Sequence, residues 1–567
     1  LDAETGTIRK RWSGHLHVAL LFPNRYAVGM ANLGFQSVYR ELNALPDLLC
    51  ERAFMPEPDE PEGGPILSLE SGRKLSEFDC LAFSIAFEND YVHVLELLHQ
   101  AGLPLPSALR GASLPLVLAG GVACWLNPEP LAPFIDVFII GEAEGILGPF
   151  FRRFDPLAER HSFLSGVARE LPGVYVPAFY SPVYDSDGLL TVMNPTTDVP
   201  PTVRRVTAPE PATVTQSIIV TPHGGFEDAH LIEVSRGCSR GCRFCAAGFV
   251  YRPPRMRPLE GLREALNQGA ERTGKIGLVG TAVSDLPGLK ALCEMGRARD
   301  LQISFSSLRA DALDAELAAA LKSGRLKTAT IAPEAGSERL RRVINKGLDE
   351  DEILRAAELL VGAGIPHLKL YFMVGLPTEG EEDVTAVVDL VEKIKGRFLA
   401  ASRARGRMGE IVVSLNCFVP KPGTPFQWVP LEQTVTLKKR LKRAVDGLKK
   451  TPNVRVQPDV PRHAYIQALL ARGDRRVADL LASAHANGEN WPQAFKQSRL
   501  DTAFFVHRRR TRQELLPWDF IDHGVTKDFL WQEYRRAVEE KPTPPCPMEP
   551  SSCRLCGVCG RESRIHP

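Results

Sequence analysis

Cys238, Cys242 and Cys245 stand in the stretch Glu-Val-Ser-Arg-Gly-Cys-Ser-Arg-Gly-Cys-Arg-Phe-Cys (233–245), directly after the apolar run that begins at Leu231. The spacing is C-x3-C-x2-C. Three thiolates within eight residues of loop can fold round one compact site. Three ligands, rather than four, leave one iron of a [4Fe–4S] cube open to a non-protein ligand. Open coordination makes a cluster a catalyst instead of an electron store. Zinc is the competing reading. It usually takes four ligands, often as two C-x2-C pairs, and no fourth Cys or His lies nearby. A second set closes the chain: Cys546-x6-Cys553-x2-Cys556-x2-Cys559. Four thiolates in fourteen residues form a complete ligand set. C-x2-C-x2-C is the spacing of cubane ferredoxin loops. Leu-Cys-Gly-Val-Cys-Gly (555–560) suits a zinc knuckle equally, so a second [4Fe–4S] cluster and zinc both stay open here.

The first cysteine set resembles the signature of the radical S-adenosylmethionine (SAM) superfamily. The resemblance implies that SAM chelates the free iron and is cleaved to a 5′-deoxyadenosyl radical, that Phe244 packs on adenine, and that a donor such as flavodoxin or ferredoxin supplies electrons. The elements that must position this loop follow it. Apolar runs at 231–235, 275–281, 302–307, 328–334, 367–375 and 411–419 alternate with helical patterns. Six such alternations predict a parallel sheet with right-handed crossovers, similar to the superfamily's partial (β/α)6 barrel. Its chemistry sits at the C-terminal strand ends. By resemblance, the second strand end offers Gly280, Thr281 and Ser284 to the methionyl group, and the third offers Arg309. Pro333-Glu-Ala-Gly-Ser-Glu-Arg-Leu340 with Asn345-Lys-Gly347 is similar to a pattern of cobalamin-dependent radical SAM enzymes and RNA methylthiotransferases, in which the glutamate, here Glu334, contacts SAM. Tyr371–Glu379 partly matches an element whose backbone, here at Gly375, faces adenine. Pro420-Lys-Pro-Gly-Thr-Pro425 matches another strand end of the same group. Read singly, Glu334 could instead cap the helix starting near Ser337, and Arg309 could be a surface ion pair.

Upstream, residues 14–155 hold four apolar strand patterns, at 17–23, 79–85, 114–121 and 136–142, each followed by a helical stretch. This predicts a doubly wound, Rossmann-like α/β domain with a crevice at the strand C-termini. Its order resembles the cobalamin-binding domain that precedes many radical SAM barrels. Ser84 and Gly120-Gly121 stand where that family has a serine and a glycine pair. The loop after the first strand reads Asn-Arg-Tyr-Ala-Val-Gly and lacks the family's cobalt-ligating histidine, leaving Arg25 or Tyr26 to face the lower side. A degenerate domain that binds no corrin is the alternative.

The remaining organisation is a β-rich linker over 156–225, with a turn at Asp185-Ser-Asp-Gly188, the barrel over 226–430, and a helical region over 431–567 ending in the four-cysteine motif. Lys438-Lys-Arg-Leu-Lys-Arg443 with Lys449-Lys450 makes one basic helix, and His507-Arg-Arg-Arg510 a second basic spot. Such runs are usually solvated faces, with RNA contact as the functional alternative. Cys124 and Cys417 read as core thiols before active-site ones. At 567 residues the chain is long enough for three or four domains, and its 44% hydrophobic content fills their cores. A formal net charge of +1 gives no global pull toward nucleic acid or membrane. Seven of the twelve cysteines lie in two tight clusters. That argues for metal sites in a reducing cytoplasm over a disulfide framework. No apolar run reaches membrane-spanning length, and the N-terminal Leu-Asp-Ala-Glu-Thr reads as no signal peptide.

These readings lead to a cytoplasmic radical SAM enzyme, with cobalamin-dependent methylation of an unactivated carbon as the reaction. A corrin-free methylation or methylthiolation of RNA or a ribosomal component is the alternative. A non-catalytic metal-binding scaffold is the reading from another class; it has no need of an open iron.

Overall fold

The computed structural model describes residues 1–57, 64–208, 213–305, 308–323, 326–403, 409–547 and 553–559. It divides the chain into two compact units. Unit 1 is residues 1–228, 469–505 and 511–524; unit 2 is residues 229–468, 506–510 and 525–567. The stretch beyond 431, expected as one helical region, is thus shared between them.

Unit 1 is built on a six-stranded sheet of β1 (Leu16–Arg25), β2 (Leu48–Met55), β3 (Cys80–Ser84), β4 (Leu116–Gly120), β5 (Val137–Ile139) and β6 (Val174–Tyr175), in the order 2-1-3-4-5-6. All neighbours pair in parallel except β6, which is antiparallel to β5. Val18–Phe22 of β1 are buried throughout, as a strand covered on both faces requires. The doubly wound expectation holds, with β2 and β6 added to the four strands foreseen. β2 carries Glu51 and Arg52 inside an otherwise apolar run. The buried Arg52 is neutralised by Glu4 at 2.7 Å and Glu70 at 2.6 Å. Order 2-1-3 puts the topological switch point, and hence the ligand crevice of such folds, at the C-terminal ends of β1 and β3.

The linker is less uniformly β than its composition suggests. Its hairpin is present as β7 (Tyr180–Tyr184) and β8 (Leu190–Pro195), turning at Asp185–Gly188. A helix, Arg160–Glu170, precedes it, capped by the Glu159 carboxylate, which accepts from the His161 and Ser162 backbone. β9 (Val203–Arg204) pairs with Ile521–Asp522.

Unit 2 opens with β10 (His230–Glu233). The short strands β11 (Ser235–Arg236) and β12 (Arg255–Met256) follow, then β13 (Lys275–Val279) and β14 (Gln302–Phe305). β10, β13 and β14 form one parallel sheet. A second parallel sheet holds β15 (Thr328–Glu334), β16 (His367–Val374), β17 (Ile411–Cys417) and β18 (Val454–Pro458). A parallel bridge from Leu308 to Ile331 joins the two sheets. The expected third strand reaches 306–307, which lie outside the described residues. Among the described residues the six expected parallel strands are present, and β18 adds a further parallel strand in sequence read as helical. Among the described residues no helix is long and apolar enough to cross a membrane.

Candidate functional site

The cysteine loop leaves the C-terminal end of β10, and β11 and β12 pair antiparallel to close its neck. Gly237 begins it at φ +78, where a Cβ would lie 2.7 Å from the Tyr251 carbonyl oxygen, so glycine is required. The Thr281 hydroxyl donates to the Gly237 carbonyl at 2.5 Å. The Cys245 N–H donates to the Cys242 carbonyl at 3.0 Å, turning the backbone between the last two thiols. Arg240 points from the loop to Asp285 at 2.9 Å and Asp311 at 3.2 Å, bracing it against the ends of the second and third strands. Arg243, with no side-chain exposure, meets Glu533 at 3.2 Å and donates to the Val343 carbonyl at 2.9 Å.

Burial pushes the Cys238 thiol up, against the Arg240 backbone N–H. Burial pushes Cys245 to about 12, with Cys242 and Cys238 adding to the rise. The three thiols are thus electrostatic neighbours in one loop. Among the described residues no three or more His, Cys, Asp or Glu side chains converge on a single-ion site. A cube does not require such convergence, since each iron takes its own thiolate. The donor set suits a [4Fe–4S] group, whose binding would draw the thiols into the thiolate form. Phe244 is half-buried beside them.

Asn345, Lys346 and Gly347 are a hub that sequence reading left as a motif without a geometry. The Asn345 amide donates to the Gly241 carbonyl in the cysteine loop, at 3.1 Å. Lys346 reaches Glu334 at 3.2 Å. The carbonyls of Lys346 and Gly347 accept from Arg309 at 3.1 and 3.3 Å. Glu334 does not cap the helix Glu338–Val343; Ser337 does. Instead Glu334 ends β15 at φ +67, a left-handed backbone that is costly for a non-glycine residue. Arg309 is buried and paired with Asp311 at 2.9 Å, so the surface ion-pair reading is replaced by a buried one. Its backbone N–H donates to Ser284 at 3.0 Å. Gly280 ends β13's turn, where a Cβ would sit 2.7 Å from Ser235 Oγ. Ser284, Arg309, Glu334 and the cysteine loop thus share one web of contacts. Arg240, Asp285, Asp311, Asn345 and Lys346 complete it; Asn345 and Lys346 stand in the sequence motif, whereas Arg240, Asp285 and Asp311 are given no role from sequence, and charged residues at successive strand ends were the available signal.

Gly375 lies apart from that web. Its N–H, and that of Leu376, donate to the buried Glu379 carboxylate at 3.0 and 3.4 Å, so these donors are committed within the strand end. Glu379 is pushed up to about 7 by burial, against the Gly375 N–H and the Arg440 charge. Gly375–Glu379 line a cleft of about 500 Å³ with His507, Arg509 and Arg535. Of the second basic spot, Arg510 is buried rather than solvated. Cys417 is buried and pushed up to about 12 by burial and Asp459.

In unit 1, Arg25 is exposed at the end of β1. Tyr26 is not turned to the crevice as a free group; its hydroxyl is bound to Glu4 and to Thr221. Ser84 and Gly120 are in register across β3 and β4. Gly121 has φ +104, and a Cβ there would lie 2.3 Å from the Ile85 carbonyl oxygen. Chain crossing, before any ligand, requires that glycine. Cys124 is fully buried in the following turn, and burial pushes its thiol up.

Comparison with known proteins gives two family matches. Residues 34–177 match radical SAM proteins, N-terminal, and residues 232–391 match the radical SAM superfamily. An uncharacterized protein of Methanocaldococcus jannaschii is 30% identical over 522 residues, covering 91% of this chain and 98% of that protein. A tRNA-2-methylthio-N(6)-dimethylallyladenosine synthase of Pseudothermotoga lettingae is 27% identical over 34% of this chain and 47% of its own length. A ribosomal protein uS12 methylthiotransferase of Anaeromyxobacter is 28% identical over 34% of this chain and 43% of its own. Among solved structures, the radical SAM methyltransferase TsrM of Kitasatospora setae, with cobalamin and a [4Fe–4S] cluster bound, has a TM-score of 0.45 at 13% identity, covering 93% of this chain and all of that one. The cobalamin-dependent enzyme OxsB, with aqua-cobalamin bound, has a TM-score of 0.48 at 15% identity, covering 83% and 66%. At these values the structural likeness carries no argument about ligand or reaction.

Proposed function

The chain belongs to the radical SAM superfamily, and on that premise we propose that Cys238, Cys242 and Cys245 ligate three irons of a [4Fe–4S] cluster that binds SAM, in an enzyme that methylates an unactivated carbon with cobalamin. The observation that carries the reading is the cysteine loop itself: three neighbouring thiols at a parallel strand end, braced by Arg240 and by the Thr281 hydroxyl. When bound, cluster and SAM supply a 5′-deoxyadenosyl radical, and cobalamin supplies the methyl group.

In this reading the chain's own residues orient the groups. Arg240 and Arg243 hold the loop so that the thiols keep their spacing. Glu334 offers a carboxylate to SAM, and Lys346, 3.2 Å away, holds it in place. Arg309, fixed by Asp311, places a positive charge near Cys238, where it favours the thiolate and faces the SAM carboxylate. Phe244 supplies an apolar face for adenine. In unit 1 the 2-1-3-4-5 parallel order supports a corrin crevice at the ends of β1 and β3, where Ser84, Gly120 and Arg25 would hold the group. Tyr26 is spent on Glu4.

A second reading rests on the partial relatives whose names specify tRNA and ribosomal protein: a corrin-free modification of RNA or a ribosomal component, bound along the helix Thr434–Leu448. Lys438, Lys439, Lys449 and Lys450 are exposed there and just beyond it. Anaerobic loading with hydroxocobalamin, followed by desalting, separates the two. Retention of about one corrin per chain supports the first. No retained corrin removes cobalamin and moves the second to first place.

A further inference from the structure

Cys546, Cys553, Cys556 and Cys559 are not used by the site described above, yet the fold brings them to it. The Cys546 N–H donates to the Ser239 carbonyl at 2.6 Å, one residue from Cys238. With about 3.8 Å between successive Cα atoms, the Cα atoms of Cys546 and Cys238 lie within about 10 Å of each other. The Cys556 carbonyl accepts from the Thr526 N–H at 2.9 Å, at the cap of the helix Lys527–Val538. Glu533 of that helix holds Arg243 of the cysteine loop. Thr543, three residues before Cys546, donates its N–H to Asn345 at 2.8 Å and its hydroxyl to Glu533.

Arg252 connects the two cysteine sets. Its Nε donates to the Gly248 carbonyl at 2.7 Å, just past Cys245. Its guanidinium lies over the Phe249 and Phe529 rings, and its charge is felt at both Cys546 and Cys559. Cys546 and Cys559 each also sense Cys553 and Cys556. Chain spacing keeps Cys553, Cys556 and Cys559 close together and Cys556 is buried; like the first set, the four tail thiols do not converge on a single-ion site among the described residues.

We propose that these four thiolates hold a second iron–sulfur cluster that relays electrons into the first. The inference rests on the assignment of Cys238, Cys242 and Cys245 to the SAM-binding cluster. Four thiolates can occupy all four irons, which gives an electron store without an open site. One electron enters from a low-potential one-electron donor of the flavodoxin or ferredoxin class and reduces the second cluster. That cluster is reoxidised as the same electron reduces the first; no proton or leaving group moves. Arg252, tied to the Gly248 carbonyl just past Cys245, sets a cation beside the second set, where it favours the negative charge gained on reduction. Zinc has no accessible second oxidation state and would make the same contacts a brace only.

The test uses the full chain, purified anaerobically and reconstituted with iron and sulfide. The unmodified protein binds about eight irons. The Cys238→Ala/Cys242→Ala/Cys245→Ala variant and the Cys553→Ser/Cys556→Ser/Cys559→Ser variant each bind about four. An undiminished count in the first variant sinks the SAM-cluster assignment. An undiminished count in the second, or zinc in the second site, sinks the relay alone. A second measurement needs no variant. In the reduced, unmodified protein the electron paramagnetic resonance signal is broadened and fast-relaxing through coupling of two nearby spins. A signal from one isolated cluster, or from two uncoupled ones, overturns the relay.

Discussion

Glu334 combines a left-handed backbone with a carboxylate held 3.2 Å from Lys346. A hydrogen bond to a charged group is worth about 1.5–3 kcal/mol. Glu334→Ala is therefore expected to weaken SAM binding by roughly 10- to 100-fold, with iron content unchanged. Isothermal titration of the reconstituted protein checks this, and affinity within twofold would refute the assignment. Glu379 gives a different kind of prediction. Its pKa stands at about 7 against an ordinary 4.5. A carboxyl raised on folding stabilises the fold below the unfolded value and loses that contribution as pH rises through the folded one. Stability is expected to fall by about 3 kcal/mol between pH 4.5 and 7. Glu379→Gln should flatten that dependence, read from urea midpoints across the range. Both residues were visible in the sequence as motif members. Their pairings, with Lys346 for one and Arg440 for the other, were not, because ion pairs between distant positions leave no local pattern.

Among the elements, the strands whose apolar pattern runs unbroken were legible, and the cysteine loop with them. β2 was missed because Glu51 and Arg52 interrupt it; Glu4 and Glu70 pair with the buried Arg52, and the Ser71 hydroxyl donates to Glu51. β18 was missed because Val454-Arg-Val-Gln-Pro458 is short and half-exposed. The glycine pair after β4 was legible as a feature but not as a cause. Gly121 is demanded by its +104° φ and by the Ile85 carbonyl 2.3 Å from any Cβ. Gly121→Ala is expected to destabilise unit 1 by at least about 1–3 kcal/mol. A urea midpoint unchanged by the substitution would show that this crossing has room after all.

At the scale of the whole molecule, the chain returns to unit 1 after completing the barrel strands. Arg475 pairs with the buried Glu129 at 3.1 Å and donates to the Tyr175 hydroxyl at 2.8 Å. No sequence pattern announces a contact between residues so far apart. Removing one partner of a buried pair costs about 3–5 kcal/mol, so Arg475→Ala should lower the unfolding transition of unit 1 in calorimetry by that order. An unshifted transition would mean that Glu129 finds other partners. The same long return carries Cys546 back to Ser239 within unit 2. The central claim of a SAM-cleaving cluster is tested most directly by 5′-deoxyadenosine formation in reconstituted, dithionite-reduced protein. The unmodified chain is expected to produce it, and the Cys238→Ala/Cys242→Ala/Cys245→Ala variant none. Undiminished production by the variant would contradict the account.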